Sequence, residues 1–231
     1  MKKITTETTP IEYKFILLGD MAVGKTSIFR RLSGKSFEQN LIATVGVEKN
    51  IIDIENVKID EKVSQNFKIS LFDTSGQERF RTITRDYFRN SQGIILLYSI
   101  VNEESYRHIQ EWLKSIKESL SDWKKSEYMI MLLANKLDIA EEKPETRMIL
   151  VDEPETLCKE EEIFWGGECS AKTNDVTQLK EILIKFIKQI HLKLKDNDNY
   201  KAKNLEQKKS IISKAKKNKK RSNMCFSVIS K

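Results

Sequence analysis

The chain has 231 residues, 39% hydrophobic and 32% charged, enough for one well-buried domain and a tail. No apolar run approaches the length of a membrane-spanning helix, and the opening MKKITTETTPIEY lacks the apolar stretch of a signal peptide, so a cytosolic protein is expected. Its three cysteines, Cys158, Cys169 and Cys225, form no CxxC pair and stand apart from His108 and His191, which argues against a disulfide framework or a zinc site. The net charge of +7 is unevenly placed. Residues 195–231 hold twelve Lys or Arg against three Asp or Glu, a net of +9, which leaves −2 of the total for residues 1–194. The basic character therefore belongs to a solvated tail containing KAKKNKKRS.

In chain order, YKFILLGD (13–20), FKISLFD (67–73), GIILLYSI (93–100) and YMIMLLAN (128–135) are short and nearly continuously apolar, the signature of strands covered on both faces. Helical patterns lie between and after them: GKTSIFRRLSG, ERFRTITRDYFRN, EESYRHIQEWLKSIKESL and VTQLKEILIKFIKQIHLKL. This alternation predicts an α/β fold with a mostly parallel, doubly wound sheet, whose ligands bind at the carboxyl ends of the strands. The stretch IIDIENVKIDEKVSQNFKISLFD reads instead as two strands joined by a polar turn, one antiparallel hairpin at the sheet edge.

GDMAVGKT (19–26) fits GxxxxGK[ST] between a buried strand and a helix, the P-loop. Backbone N–H groups of residues 20–26 (Asp20, Met21, Ala22, Val23, Gly24, Lys25 and Thr26) would wrap phosphates, with Ser27 following in the helix whose positive end faces them. Glycine is needed where a side chain would collide with phosphate. Lys25 supplies a point charge to the outer phosphates, and the Thr26 hydroxyl can ligate magnesium. Three further motifs follow. DTSGQ (73–77) closes an apolar strand and places Asp73 near the magnesium, Gly76 where its N–H senses a terminal phosphate, and Gln77 where it orients a water. NKLD (135–138) ends another buried strand, and CSAK (169–172) follows EIFWGGE. Singly, NKLD is an ordinary polar strand end and SAK an ordinary helix cap. Their order, each at a strand's end, carries the reading.

With these motifs the chain resembles the Ras superfamily of small GTPases over residues 11–192. The resemblance implies a small G domain over 11–194, with a six-stranded, mostly parallel sheet bearing one antiparallel edge strand and helices on both faces. Residues 1–10 would be an extension and 195–231 a flexible basic tail. It implies GTP or GDP and Mg2+ as ligands. Asp138 would accept from two N–H donors on guanine, a pair adenine does not offer, selecting GTP over ATP. Asn135 would join base site and P-loop, the Lys136 stem would lie against the base, and Ala171, between Ser170 and Lys172, would donate from its backbone to the guanine carbonyl. Phe37 matches the aromatic on the other side of the base. Thr44, in ATVGVE, matches the threonine that touches magnesium and the terminal phosphate only in the triphosphate state.

Within the superfamily GQERFRTITRDYFRN, ATVGVE and LLYSI resemble the Rab pattern. About five extra residues between NKLD and CSAK are too few for the inserted helix of Rho members. Two departures fall on the hydrophobic triad that Rab effectors read: Lys49 replaces the usual phenylalanine and Phe72 the usual tryptophan. The hairpin between them is also longer than usual. The resemblance implies slow hydrolysis with Gln77 as the catalytic residue, a separate activating protein, an exchange factor, and effectors read through switch segments 37–49 and 74–90. A monomeric switch in vesicle traffic, peripheral on the cytosolic face of an intracellular membrane, is the first expectation. A GTP-binding scaffold with little hydrolysis and a Ras-like signalling GTPase outside vesicle traffic are the alternatives; an ATP-dependent kinase is opposed by NKLD and CSAK. The ending MCFSVISK puts Cys225 seventh from the end, so neither CaaX nor a terminal CC pair is present. A lipid on Cys225, the basic run on anionic lipid, or both, is the expected anchor, with nucleic acid or nuclear import as the rival for KKNKKR.

Overall fold

The computed structural model describes residues 5–42, 44, 46–61, 63–74, 88, 90–120, 128–173 and 176–195. The chain divides into two units, Met1–Ile190 and His191–Lys231. The first carries a six-stranded sheet of order β2-β3-β1-β4-β5-β6. The strands are β1 (Thr5–Leu18), β2 (Val47–Lys58), β3 (Val63–Thr74), β4 (Gly93–Ser99), β5 (Met129–Asn135) and β6 (Phe164–Glu168). All neighbours run parallel except β2 and β3, which form the expected edge hairpin. β4 is buried throughout and β5 almost so, which is why their sequences are continuously apolar rather than alternating.

The described helices are α1 (Lys25–Leu32), α2 (Glu103–Ser119), α3 (Leu137–Glu142), α4 (Asp152–Glu161) and α5 (Thr177–Lys195). α2 shows how local chemistry sets a boundary. The Asn102 side chain accepts from the Ser105 N–H at 2.9 Å, and Glu103 and Glu104 lie in the first turn, where the helix dipole favours acids. Ser105, Ile109, Trp112, Leu113 and Ile116 then share its buried face. That face joins Ile16, Leu18, Ile94, Leu96, Ile130 and Leu132 in one core layer. On the opposite face the aromatics Tyr13, Phe15, Phe67, Phe164 and Phe186 form a chain of ring contacts 5.5–6.5 Å apart.

Three elements differ from expectation. β1 begins at Thr5, inside the segment read as an N-terminal extension, because Thr5–Glu7 pair in parallel with Val63–Gln65 before a bulge carries the register to Ile11↔Phe67. Gln65 Nε2 donates to the Thr9 carbonyl at 3.0 Å, and Pro10, which has no N–H to offer a ladder, sits within the irregularity. α3 and α4 answer to no expected helix: α3 has six residues with only Ala140 buried, and the ten residues of α4 have only Pro154, Leu157 and Cys158 buried, too weak a periodicity to read. The helix expected over 78–90 lies, but for Phe88 and Asn90, outside the described residues, as does everything beyond Lys195.

Candidate functional site

The carboxyl ends of β1, β3 and β5 open onto a cavity of about 600 Å³. Met21, Ala22, Gly24, Lys25, Thr26 and Ser27 line one end of it; Asn135, Lys136, Asp138, Ala171 and Lys172 line the other, with Phe37 and Thr44 on a third side. Asp20, Val23, Asp73 and Ser170 stand behind this wall and position what does.

The turn after β1 depends on two glycines. Gly19 has φ +130° and its missing Cβ would stand 2.2 Å from the Leu97 carbonyl oxygen; Gly24 has φ +99° and would meet Asn135 Nδ2 at 2.2 Å. Both conformation and space exclude a side chain there. Lys25, only 5% exposed, folds back along the turn, and its ammonium donates to the Gly19 and Asp20 carbonyls at 2.9 and 2.6 Å. Burial lowers its pKa to about 8, against the pull of Asp73 and Asp20.

At the floor three oxygens meet. Thr26 Oγ1 donates to Asp73 Oδ2 at 2.7 Å, Thr44 Oγ1 lies 2.7 Å from Thr26 Oγ1, and Thr44 Oγ1 is 3.4 Å from Asp73 Oδ2. Asp73 Oδ1 is buried with no hydrogen-bond partner among the described residues. Burial raises the pKa of this carboxyl, opposed by the Thr26 hydroxyl and Lys25. A hard oxygen donor set with an unsatisfied buried carboxylate oxygen fits a magnesium ion and its waters.

At the far end Asn135 ties the loops together: its Nδ2 donates to the Val23 carbonyl at 2.8 Å, and its Oδ1 accepts from the Ala171 N–H at 3.1 Å. Lys136 takes a left-handed conformation at φ 71°, which lets β5 turn directly into α3. Ser170 Oγ donates to Asp138 Oδ1 at 2.5 Å and accepts from the Lys172 N–H at 3.1 Å, while Lys172 Nζ lies 3.7 Å from Asp138 Oδ2. The carboxylate is thus aimed before any ligand arrives. Gly76 and Gln77 lie outside the described residues.

Sequence reading missed one contact. The Asp20 side chain turns away from the cavity toward α2, where its Oδ1 accepts from Trp112 Nε1 at 2.9 Å and its Oδ2 lies 2.5 Å from His108 Nδ1. The two ring residues are four apart on one helix, but Trp112 reads as core and His108 as surface. Asp20 beside the imidazole, with Glu111 and Glu104 further off, raises the His108 pKa above its ordinary 6.5. A raised folded-state pKa contributes stability that is fully present below about pH 6.5 and is lost as pH rises through the folded value. Urea unfolding of wild type and His108→Asn at about pH 6 and about pH 8.5 should show a stability gap that narrows at the higher pH. A gap independent of pH would contradict the pairing.

These features define a P-loop α/β domain in which Asn135 joins the turn after β1 to the loops that follow β5 and β6. A profile of the Ras family matches residues 14–192. The chain is 36% identical over 186 residues to the Ras-related protein SEC4 of Saccharomyces cerevisiae, covering 80% of this chain and 77% of that one. It is 34% identical over 185 residues to the Ras-related protein RABE1e of Arabidopsis thaliana, covering 80% and 78%. It is 42% identical over 129 residues to the Ras-related protein Rab-13 of Canis lupus familiaris, covering 55% and 58%. The chain belongs to the Ras family and is a small GTPase of Rab type.

Proposed function

We propose that the protein is a GTP/GDP switch that binds GTP with magnesium, hydrolyses it slowly, and acts in vesicle traffic on the cytosolic face of an intracellular membrane. The observation that carries the switch is the meeting of Thr44, from segment 37–49, with Thr26 of the phosphate loop over Asp73. A loop residue that reaches the metal position only while a terminal phosphate holds it would report the nucleotide state. The triphosphate would lie along the turn 20–26, and its negative charge would give the buried Lys25 ammonium the partners it needs to stay charged. Guanine would lie between Phe37 and the Lys136 stem, read by Asp138 and the Ala171 N–H. Thr26 and Thr44, with Asp73 behind them, would hold magnesium, which would supply charge neutralisation at the phosphate oxygens.

In the reaction a water oxygen bonds to the terminal phosphorus as the bond to the bridging oxygen breaks; GDP leaves with that electron pair, inorganic phosphate is the second product, and the proton the water gives up passes to the phosphate or to solvent. Gln77 orients the water. Nothing in the sequence marks an arginine to stabilise the transferring group, so hydrolysis is slow alone and accelerated by a separate activating protein. Likeness to Rab-type relatives supports vesicle traffic, and among the described residues no helix is long and apolar enough to cross a membrane. The basic tail with Cys225 would supply attachment to anionic lipid, about 1 kcal/mol per charge near the surface. Mass spectrometry of Cys225 from cells should find a lipid; an unmodified thiol would leave the basic run alone. Nucleotide released from the purified protein by denaturation should be guanine nucleotide, and adenine nucleotide there would overturn the reading.

A second reading, a GTP-binding scaffold that scarcely hydrolyses, is favoured by Met21. It lines the cavity beside the phosphate loop and is 57% exposed, large enough to crowd a water or an incoming arginine. Single-turnover hydrolysis by Met21→Gly should be several-fold faster than wild type if the side chain obstructs, and equal if it does not.

A further inference from the structure

We propose that His108 and Trp112 of α2 are positioning residues for nucleotide binding: together they hold the Asp20 carboxylate away from the place of the triphosphate. This rests on the switch reading above and adds to that site two residues from outside the cavity. Asp20 is the one acid among residues 19–26. A carboxylate in that turn stands where phosphate charge is to be gathered, and like charges repel most where water is scarce. Asp20 is 8% exposed, so solvent screens it little.

Both carboxylate oxygens are engaged on the helix side. Trp112 Nε1 donates to Oδ1 at 2.9 Å, and His108 Nδ1 meets Oδ2 at 2.5 Å. The buried indole N–H needs an acceptor, and His108, one turn earlier on the same face, closes over the second oxygen. Asp20 also bears directly on Lys25. Its carbonyl accepts from Lys25 Nζ at 2.6 Å, so the residue whose side chain α2 fixes also seats the ammonium. Its charge is felt at that ammonium too, where it opposes the effect of burial. A carboxylate released from α2 would be able to turn toward Lys25 and compete with phosphate for it. Held by an imidazole and an indole N–H, it cannot, and Lys25 is left for the nucleotide.

The test is the affinity of the full-length protein for GTP and for GDP, read by displacement of a fluorescent guanine nucleotide. His108→Ala should bind GTP about tenfold more weakly than wild type, and GDP should lose less because it brings one phosphate fewer. His108→Asn, which keeps an N–H donor without a charge, should fall between wild type and His108→Ala. In the Asp20→Asn background, where no carboxylate is left to restrain, adding His108→Ala should change GTP affinity by less than about twofold. A GTP affinity unchanged in His108→Ala, a loss as large for GDP as for GTP, or a loss equal in the two backgrounds would each overturn the inference, since a residue that merely packs gives the last two results. Circular dichroism checks that each variant is folded; His108→Asn, alone and with Asp20→Asn, carries the same cycle if His108→Ala is not. Wild-type protein that binds no guanine nucleotide would fail the switch reading itself, whereas wild type that binds GTP with no dependence on His108 would fail this inference alone.

Discussion

Asp138→Ala is expected to weaken GTP binding by about two to four orders of magnitude while the chain still folds. The carboxylate has its side chain only 16% exposed and is held from both sides, by the Ser170 hydroxyl at 2.5 Å and the Lys172 ammonium at 3.7 Å. A group fixed this way would offer guanine two charge-assisted acceptors without paying to order itself on binding. Each such bond is worth roughly 1.5–3 kcal/mol, which sets the range. Alanine also leaves the Ser170 hydroxyl and the guanine N–H groups without that acceptor, so discrimination against ATP should fall with affinity. Competition of GTP and ATP for a fluorescent guanine nucleotide measures both. An Asp138→Ala protein that kept wild-type GTP affinity would show that the base is read elsewhere.

Gly19→Ala should cost about 3–5 kcal/mol of folding stability. The added Cβ meets the Leu97 carbonyl oxygen at 2.2 Å, and that oxygen belongs to the wholly buried strand β4, so neither partner can move aside. The backbone there also sits at φ +130°, which an alanine adopts only under strain. Chemical denaturation of nucleotide-free protein reads the loss. A change under 1 kcal/mol, of the order of an ordinary surface substitution, would mean that β1 and β4 have more room than their pairing from Phe15↔Gly93 to Leu18↔Leu96 allows.

What could be read from the sequence follows the strength of each physical signal. Strands buried on both faces, as in GIILLYS and MIMLLAN, announce themselves by unbroken apolar runs, and Asn135, which ends the second of them, faces the cavity. The β2–β3 hairpin was legible for the opposite reason, since its exposed edge alternates. The first half of β1 was not: TTETTP is polar, and its strand character comes from pairing with Val63–Gln65, a contact with no local trace. α4 was hidden by its thin apolar stripe. The Asp20–His108 pair lay beyond reading because 88 residues separate its members, and only the packing of α2 beside the phosphate loop brings them together. Lys49 and Phe72 were visible as departures in the triad; that they pair across β2 and β3 required the register.

The central claim is that this Ras-family chain is a hydrolysing switch. Single-turnover hydrolysis of GTP by the purified protein with magnesium, run beside Gln77→Leu and with bound nucleotide identified after denaturation, tests it most directly. Bound GDP and slow turnover that falls in the variant are expected. Bound GTP with no turnover in either protein would contradict it and leave a GTP-binding scaffold in its place.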